Sequence, residues 1–295
     1  MNNKILFPFI ALCLIWGSTW YFIKISLDAG MPPLYGVGVR FLFSSIFFFI
    51  ILLLRKESIP TDKDAIKVYT SFALLNFCFS YGITYWATQY LYSSISAILW
   101  GLFPVATSVF AHFMIPNDPN ERLNRNKLLA LGIGFVGLTI ISLGDSSIIN
   151  FESSKSSIAI LALIFAIVIA AYPSVLYKKH NEKVNHYQMN AVCQLITGIV
   201  MLSMSSLIEN PQQIVWTNEL INATLYLIIM GGVVSWGIYF WLYQHLTVTQ
   251  VTYVAIFPPI VAIITGWIFL NEALTAKEII GTILILSGSV LIYRK

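Results

Sequence analysis

The fold is decided by two related stretches of the chain, SYGITYWATQYL at residues 80–91 and SWGIYFWLYQHL at residues 235–246. They share Ser, Gly, Ile, Trp, Gln and Leu in the same register, 155 residues apart. Two further pairs follow in the same order: Phe103-Pro104 recurs as Phe257-Pro258, and Asn120-Glu121-x-Leu123 recurs as Asn271-Glu272-x-Leu274. Matches that keep their order indicate that the second half of the chain repeats the first.

Both stretches lie in a chain of 295 residues that is 58% hydrophobic and only 10% charged. Soluble domains carry roughly 25% charged residues, so this chain lacks the surface of a soluble protein. A helix needs about 20 apolar residues to cross about 30 Å of hydrocarbon, whereas barrel strands are about 10 residues long and alternate in polarity. Runs of the helical kind predict ten transmembrane helices, at about 5–25, 33–54, 68–90, 94–114, 127–144, 157–178, 187–208, 223–245, 249–270 and 277–293.

The basic residues predict how these spans are oriented. The side of the membrane that receives both termini holds 13 Lys and Arg residues, whereas the other side holds Lys24, Lys155 and Lys277. Because cytoplasmic loops are enriched in Lys and Arg, both termini are predicted to be cytoplasmic in a multi-pass protein of the inner membrane. The three cysteines lie inside apolar runs without metal-ligand or disulfide-framework spacing, so we interpret them as small core residues. The sequence predicts no metal, no cofactor and no nucleic-acid partner.

Five spans per half is an odd number, so the second half must enter the membrane from the opposite side. We therefore predict an all-α integral membrane protein built as an inverted repeat, with residues 1–146 and 155–295 as its five-helix units. Inverted repeats are common in secondary transporters, where two halves around a central cavity open a small-molecule site alternately to each face of the bilayer.

The chain also resembles the EamA-type members of the drug/metabolite transporter superfamily over nearly its whole length. The resemblance rests on Trp16-Gly17-Ser18-Thr19-Trp20, Arg40-Phe41, Phe103-Pro104 and Phe257-Pro258-Pro259, each proline motif being followed by Asn-Glu-x-Leu and a Gly-rich helix. It implies ten helices around a central cavity, with the fifth and tenth spans at the periphery or in a homodimer. It also implies transport of amino acids, related metabolites or lipophilic cations, often outward.

Aromatic side chains dominate the predicted substrate-binding residues, because rings can stack on a solute or hold a cation against their faces. Residues four apart share a helix face, as Trp16 and Trp20 do. The predicted set is Trp16, Trp20, Arg40, Tyr81, Tyr85, Trp100, Trp236, Tyr239 and Tyr253. The alternative for any one ring is packing, or a place in the aromatic belt at the membrane interface.

Two basic residues, Lys24 and Arg40, are predicted to lie within the membrane near the outer gate. Lys24 and Arg40 lie eight residues either side of Pro32, so both are expected at similar depth below the outer surface. There each can bind a solute carboxylate or a backbone carbonyl, or snorkel toward the surface. Lys179, 155 residues after Lys24, is its pseudo-symmetric counterpart on the cytoplasmic side, although anchoring at the headgroup level is the favoured role of both Lys178 and Lys179.

Pro104, Pro258 and Pro259 lie inside the fourth and ninth spans, where proline kinks a helix. We interpret these prolines with Lys24 as gating residues, the alternative for the prolines being a static bend. No Asp or Glu falls near the middle of any span, so we expect facilitated transport or weak ion coupling. The sequence favours a secondary transporter, foremost an exporter of amino acids or related metabolites. Uptake or exchange of nucleotide-type metabolites and efflux of lipophilic cations remain open, whereas a membrane-embedded enzyme is disfavoured.

Overall fold

The computed structural model describes residues 3–119, 122–142 and 153–291, and these residues form helices and turns with no strand. The first half of the described chain contains α1 (Asn3–Asp28), α2 (Pro33–Arg55), α3 (Lys63–Ser71), α4 (Tyr81–Thr88), α5 (Ser93–Trp100), α6 (Phe103–Met114) and α7 (Arg125–Ser142). The second half contains α8 (Ser153–His180), α9 (His186–Ile208), α10 (Asn218–Ile228), α11 (Ser235–His245), α12 (Val248–Thr252), α13 (Pro258–Phe269) and α14 (Ala276–Leu291).

Seven helical stretches of the described residues are long and apolar enough to cross a membrane. They are Lys4–Asp28, Pro33–Arg55, Ser93–Met114, Lys155–His180, His186–Ile208, Asn218–His245 and Gln250–Phe269. The third predicted span is not among them, because Asn76, Ser80, Thr84 and Thr88 make it more polar. Helices α7 and α14, which correspond to the fifth and tenth predicted spans, are not among them either. The structure confirms an all-helical membrane protein, whereas the count of ten spans stays a prediction.

Helices α2 and α9 pack along each other in opposite directions. A Cβ built on Gly38 of α2 would lie 2.7 Å from the Leu202 side chain of α9, and one on Gly198 would lie 2.6 Å from the Leu42 side chain. Residue numbers rise along one helix as they fall along the other, so the two are antiparallel. Small residues at such crossings let backbones approach closely, which strengthens packing between apolar helices in lipid.

Helices α7 and α14 form a second antiparallel pair. A Cβ built on Gly137 would lie 2.7 Å from the carbonyl oxygen of Gly281, and one on Gly288 would lie 2.9 Å from that of Ala130. The crossing therefore requires glycine at both contact points. This arrangement pairs the fifth predicted span with the tenth within one chain.

Several helices are interrupted at matching places in the two halves. The π-helical segments Phe72–Ser80 and Ile229–Val234 come just before α4 and α11, which open the repeated motif. Pro104 and Pro258 each lie in the first turn of a new helix, where proline is well tolerated. The expected kinks in the fourth and ninth spans are therefore breaks between two helices.

The two ends of the helix bundle are named here by the helices that meet there. At the Asp28 end α1 finishes and α2 begins, and at the His180 end α8 finishes and α9 begins. The His180 end is tied by an ion pair between Lys183 and Asp64 of α3. The hydrogen bond from Lys183 holds the pKa of the Asp64 carboxyl below its ordinary value.

A matched pair of glycines in α7 tests the helix crossing. Gly137→Ala should destabilise the protein by roughly 1–3 kcal/mol, since its methyl group would collide with the Gly281 backbone. Gly132→Ala should leave stability unchanged or raised, because a Cβ there meets nothing within 4 Å. Thermal unfolding of the two purified variants in the same detergent measures the difference. Equal melting temperatures would contradict the crossing.

Candidate functional site

A cavity of about 70 Å³ lies between the helices of both halves. Its lining consists of Trp16, Thr19, Trp20, Ile23, Arg40, Asn76, Tyr81, Thr84, Ala97, Trp100, Phe103, Trp236, Tyr239, Ala255 and Pro258. Seven of the nine predicted substrate-binding residues border it: Trp16, Trp20, Arg40, Tyr81, Trp100, Trp236 and Tyr239. Residues far apart in the sequence are thus brought to one compartment, and no described residue of its lining is acidic.

The remaining predicted site residues lie elsewhere. Tyr85 is buried and accepts a hydrogen bond from Arg40 Nη1 at 3.2 Å, so it holds the guanidinium without lining the cavity. The side chain of Tyr253 lies outside the described residues. Of the predicted gates, Pro258 borders the cavity, whereas Lys24, Pro104 and Pro259 are not part of its lining.

Arg40 is held at the cavity wall by neutral groups. The side chain is 1% exposed, and Nη2 donates to the carbonyl oxygen of Gly231 at 2.6 Å. A Cβ at position 231 would lie 2.8 Å from Nη2, so glycine is needed for this approach. The guanidinium carbon lies 5.2 Å from the ring centre of Tyr81, in a cation–π contact. Because a buried charge is costly unless it is hydrogen-bonded, these contacts offset the desolvation of the guanidinium.

Packed rings separate the cavity from the His180 end. The ring centre of Trp16 lies 5.5 Å from that of Trp236 and 5.0 Å from that of Tyr239. Below them the hydroxyls of Tyr239 and Tyr243 are 3.1 Å apart, and both residues are buried. Ligand sites usually offer roughly 300–1,000 Å³, so a solute larger than a few water molecules requires these rings to move apart.

Glu272 belongs to the repeated Asn-Glu-x-Leu motif, but the sequence alone predicts no role for its side chain. Its carboxylate accepts hydrogen bonds from the backbone N–H of Ser93 at 2.7 Å and of Ser94 at 3.0 Å, and from the Ser94 hydroxyl at 2.6 Å. A carboxylate at a helix N-terminus satisfies free N–H groups and complements the helix dipole. Glu272 therefore fixes the start of α5, the helix that carries Trp100 to the cavity.

Glu209 does the same for α2. Its carboxylate accepts hydrogen bonds from the backbone N–H of Leu34 at 2.9 Å and of Tyr35 at 3.0 Å, and from the Ser205 hydroxyl at 2.6 Å. It thereby anchors the helix that carries Arg40. The one sequence feature that could have pointed to these two helix caps is an isolated carboxylate at the end of an apolar run.

Two lysines hold helix ends at opposite ends of the bundle. Lys24 Nζ donates to the carbonyl oxygen of Thr88 at 3.4 Å and pairs with Asp28 at 3.2 Å. Lys178 Nζ donates to the carbonyl oxygens of Tyr243 and Leu246, both at 2.7 Å. Thr88 and Tyr243 are equivalent positions, 155 residues apart. By these hydrogen bonds Lys178 is the structural counterpart of Lys24, whereas Lys179, the residue at the 155-residue offset, is exposed.

Comparison with known proteins identifies the family of this chain and several relatives. The model of the EamA-like transporter family matches residues 3–143 and again residues 157–294. The chain is 25% identical to the uncharacterized transporter YoaV of Bacillus subtilis, over 97% of this chain and 95% of YoaV. It is 28% identical to the protein PagO of Salmonella typhimurium, over 86% of this chain and 81% of PagO.

Two further matches are more distant. The chain is 22% identical to the S-adenosylmethionine/S-adenosylhomocysteine transporter of Chlamydia muridarum, over 95% of this chain and 89% of that protein. One crystal structure is similar with a TM-score of 0.73 and 15% identity, covering 99% of this chain and 98% of the other. That likeness shows a shared fold.

The cap on α5 can be tested with two glutamates. Glu272→Gln should lower stability by about 1–3 kcal/mol, because a buried charged acceptor of three hydrogen bonds is replaced by a weaker neutral one. Glu182→Gln is the matched control, since Glu182 is exposed. Thermal unfolding in detergent provides the readout, and an equal effect of the two substitutions would contradict the cap.

Proposed function

Because the chain belongs to the EamA-like transporter family, we propose that it is a secondary transporter of small organic solutes that works by alternating access. Its foremost role in this proposal is export of amino acids or related metabolites across the cytoplasmic membrane. The observation that carries the proposal is one cavity bordered by rings from both segments that match the family model. Trp16 and Trp20 come from residues 3–143, and Trp236 and Tyr239 come from residues 157–294. Such convergence fits a binding site between two halves that move against each other.

The proposal includes ten spans arranged as an inverted five-plus-five repeat of residues 1–146 and 155–295. Antiparallel packing of α2 on α9 and of α7 on α14 supports it, since equivalent helices of inverted halves must run in opposite directions. The matching π-helical segments Phe72–Ser80 and Ile229–Val234 support it as well. In this arrangement α7 and α14 pack against each other within one chain. A homodimer formed through the same two helices stays a prediction.

Orientation follows from charge. The proposal puts the His180 end and both termini in the cytoplasm, which the concentration of basic residues at that end supports through the positive-inside rule. These residues are Arg55, Lys56, Lys63, Lys67, Lys178, Lys179 and Lys183. The Asp28 end then faces outward.

Alternating access in this scheme uses the lysines as latches and the helix breaks as hinges. The Lys178 contacts and the packed rings around Tyr239 close the His180 end, while the longer Lys24 contact holds the Asp28 end less firmly. Breaks at Pro104 and Pro258 let the halves of the fourth and ninth spans reorient. Since no described residue of the cavity lining is acidic, the scheme keeps facilitated transport or weak ion coupling as its expected energetics.

A second candidate substrate class is favoured by the Chlamydia relatives. They are named as transporters of S-adenosylmethionine and S-adenosylhomocysteine, which join an amino acid to a purine nucleoside. A cavity rich in indole rings suits a purine as well as an aromatic amino acid, because both stack on a ring face. This class therefore belongs in any substrate screen.

Counterflow in proteoliposomes tests the carrier. Vesicles preloaded with an amino acid mixture, or with S-adenosylmethionine, should take up the labelled solute with saturable kinetics and faster than empty-loaded vesicles. Trp16→Ala should weaken solute binding roughly tenfold, or about 1.4 kcal/mol. Leu14→Ala in the same helix is the control, since Leu14 is 55% exposed on the lipid side. Flux that rises linearly with concentration and ignores internal solute would contradict a carrier.

Adjacent lysines test the latch. Lys178→Met should raise amide hydrogen exchange in residues 240–247, because the Leu246 carbonyl loses its lysine donor and the Tyr243 carbonyl keeps only the hydrogen bond from Asn181. Lys179→Met removes the same charge from an exposed neighbour and should leave that exchange unchanged. Hydrogen–deuterium exchange with mass spectrometry resolves these peptides. Equal protection in both variants would argue against Lys178 as a latch.

A further inference from the structure

Arg40 is a buried cation that no described side chain neutralises. Its guanidinium borders the cavity and donates to two neutral acceptors, the Gly231 carbonyl and the Tyr85 hydroxyl. Its Nε has no acceptor among the described residues. Buried charges are normally paired with an opposite charge or fully hydrogen-bonded. A carboxylate brought by the solute would complete this arrangement.

Other polar atoms at the cavity match the remaining parts of such a solute. Trp16, Trp100 and Trp236 each have a buried indole N–H without an acceptor among the described residues. Asn76 offers the opposite polarity, because its Nδ2 donates to the Ala170 carbonyl at 3.3 Å and thereby fixes the amide orientation. Its buried Oδ1 then has no donor within the described chain. The cavity thus combines a cation, three indole donors and one acceptor within an aromatic wall.

We propose that the solute is an apolar amino acid whose carboxylate binds Arg40, whose ammonium group donates to Asn76 Oδ1, and whose side chain lies among the indole rings. The assignment rests on the proposed carrier function and narrows its substrate class. A lipophilic cation would meet the Arg40 charge without a compensating anion, and like charges repel strongly where the dielectric is low. A nucleotide would bring more negative charge than one arginine balances.

Ligand chemistry on the unmodified protein provides the first test. Leucine, phenylalanine, methionine and tryptophan are each compared with their methyl ester and decarboxylated amine by isothermal titration calorimetry. The best-bound amino acid should bind roughly tenfold or more tightly than its ester or amine, because both derivatives lack the anionic group. Amines that bind as tightly as the acids would overturn the assignment, and so would tetraphenylphosphonium that displaces a bound amino acid.

Substitution of the arginine provides the second test. Arg40→Gln should remove the preference for acid over amine, while Arg40→Lys should retain part of it. Arg55→Gln, at the far end of the same helix, should keep the full preference because Arg55 is outside the cavity lining and pairs with Glu57. An unchanged preference in Arg40→Gln would overturn the assignment.

The two proposals fail differently. Saturable counterflow of tetraphenylphosphonium without amino-acid binding would overturn the carboxylate site and leave the carrier intact. Absence of counterflow for every probe class, with the protein folded in the same vesicles, would overturn the carrier and this assignment together.

Discussion

The need to satisfy backbone hydrogen bonds without water governs this structure. In hydrocarbon, an unpaired N–H or C=O costs several kcal/mol, so interrupted helices persist only where they face protein or a polar compartment. The interruptions lie where that condition is met. The π-helical segment Ile229–Val234 presents the Gly231 carbonyl to Arg40, and the break before α6 lies beside Phe103 at the cavity. The interrupted helices therefore need the cavity or packed protein beside them, and the groups that they free help to form the cavity wall.

The two halves share a plan but differ in chemistry. Thr88 and Tyr243 stand at equivalent positions and accept hydrogen bonds from lysines at opposite ends of the bundle. The contact from Lys178 is short and doubled, whereas Lys24 divides its charge between Thr88 and Asp28. In the proposed alternating-access cycle, these unequal lysine contacts would give the two closed states unequal free energies, and a solute that binds across both halves would shift their populations.

Much of this could be read from the sequence because it depends on local composition. The run predicted at 33–54 corresponds to α2 at Pro33–Arg55, and the paired tryptophans of α1 reach the cavity as their spacing on one helix face predicts. The roles of Glu209 and Glu272 could not be read, since each carboxylate caps a helix more than 170 residues away along the chain. The role of Asn76 could not be read either, since its side chain meets the Ala170 carbonyl 94 residues away along the chain. The choice of Lys178 over Lys179 depends on the rotation of α8, which spacing alone does not fix to one residue.

The central claim is that the cavity is a solvated compartment reached from one face of the membrane at a time. Ala97 lines it and is 1% exposed, so A97C in a background without the native cysteines reports its access directly. The measurement is the labelling rate with a membrane-impermeant thiol reagent applied to each face in turn, with and without solute. The account predicts labelling from the Asp28 face that falls when solute binds, together with a slower rate from the opposite face that rises during exchange. Labelling from neither face, or equally from both at all times, would contradict it.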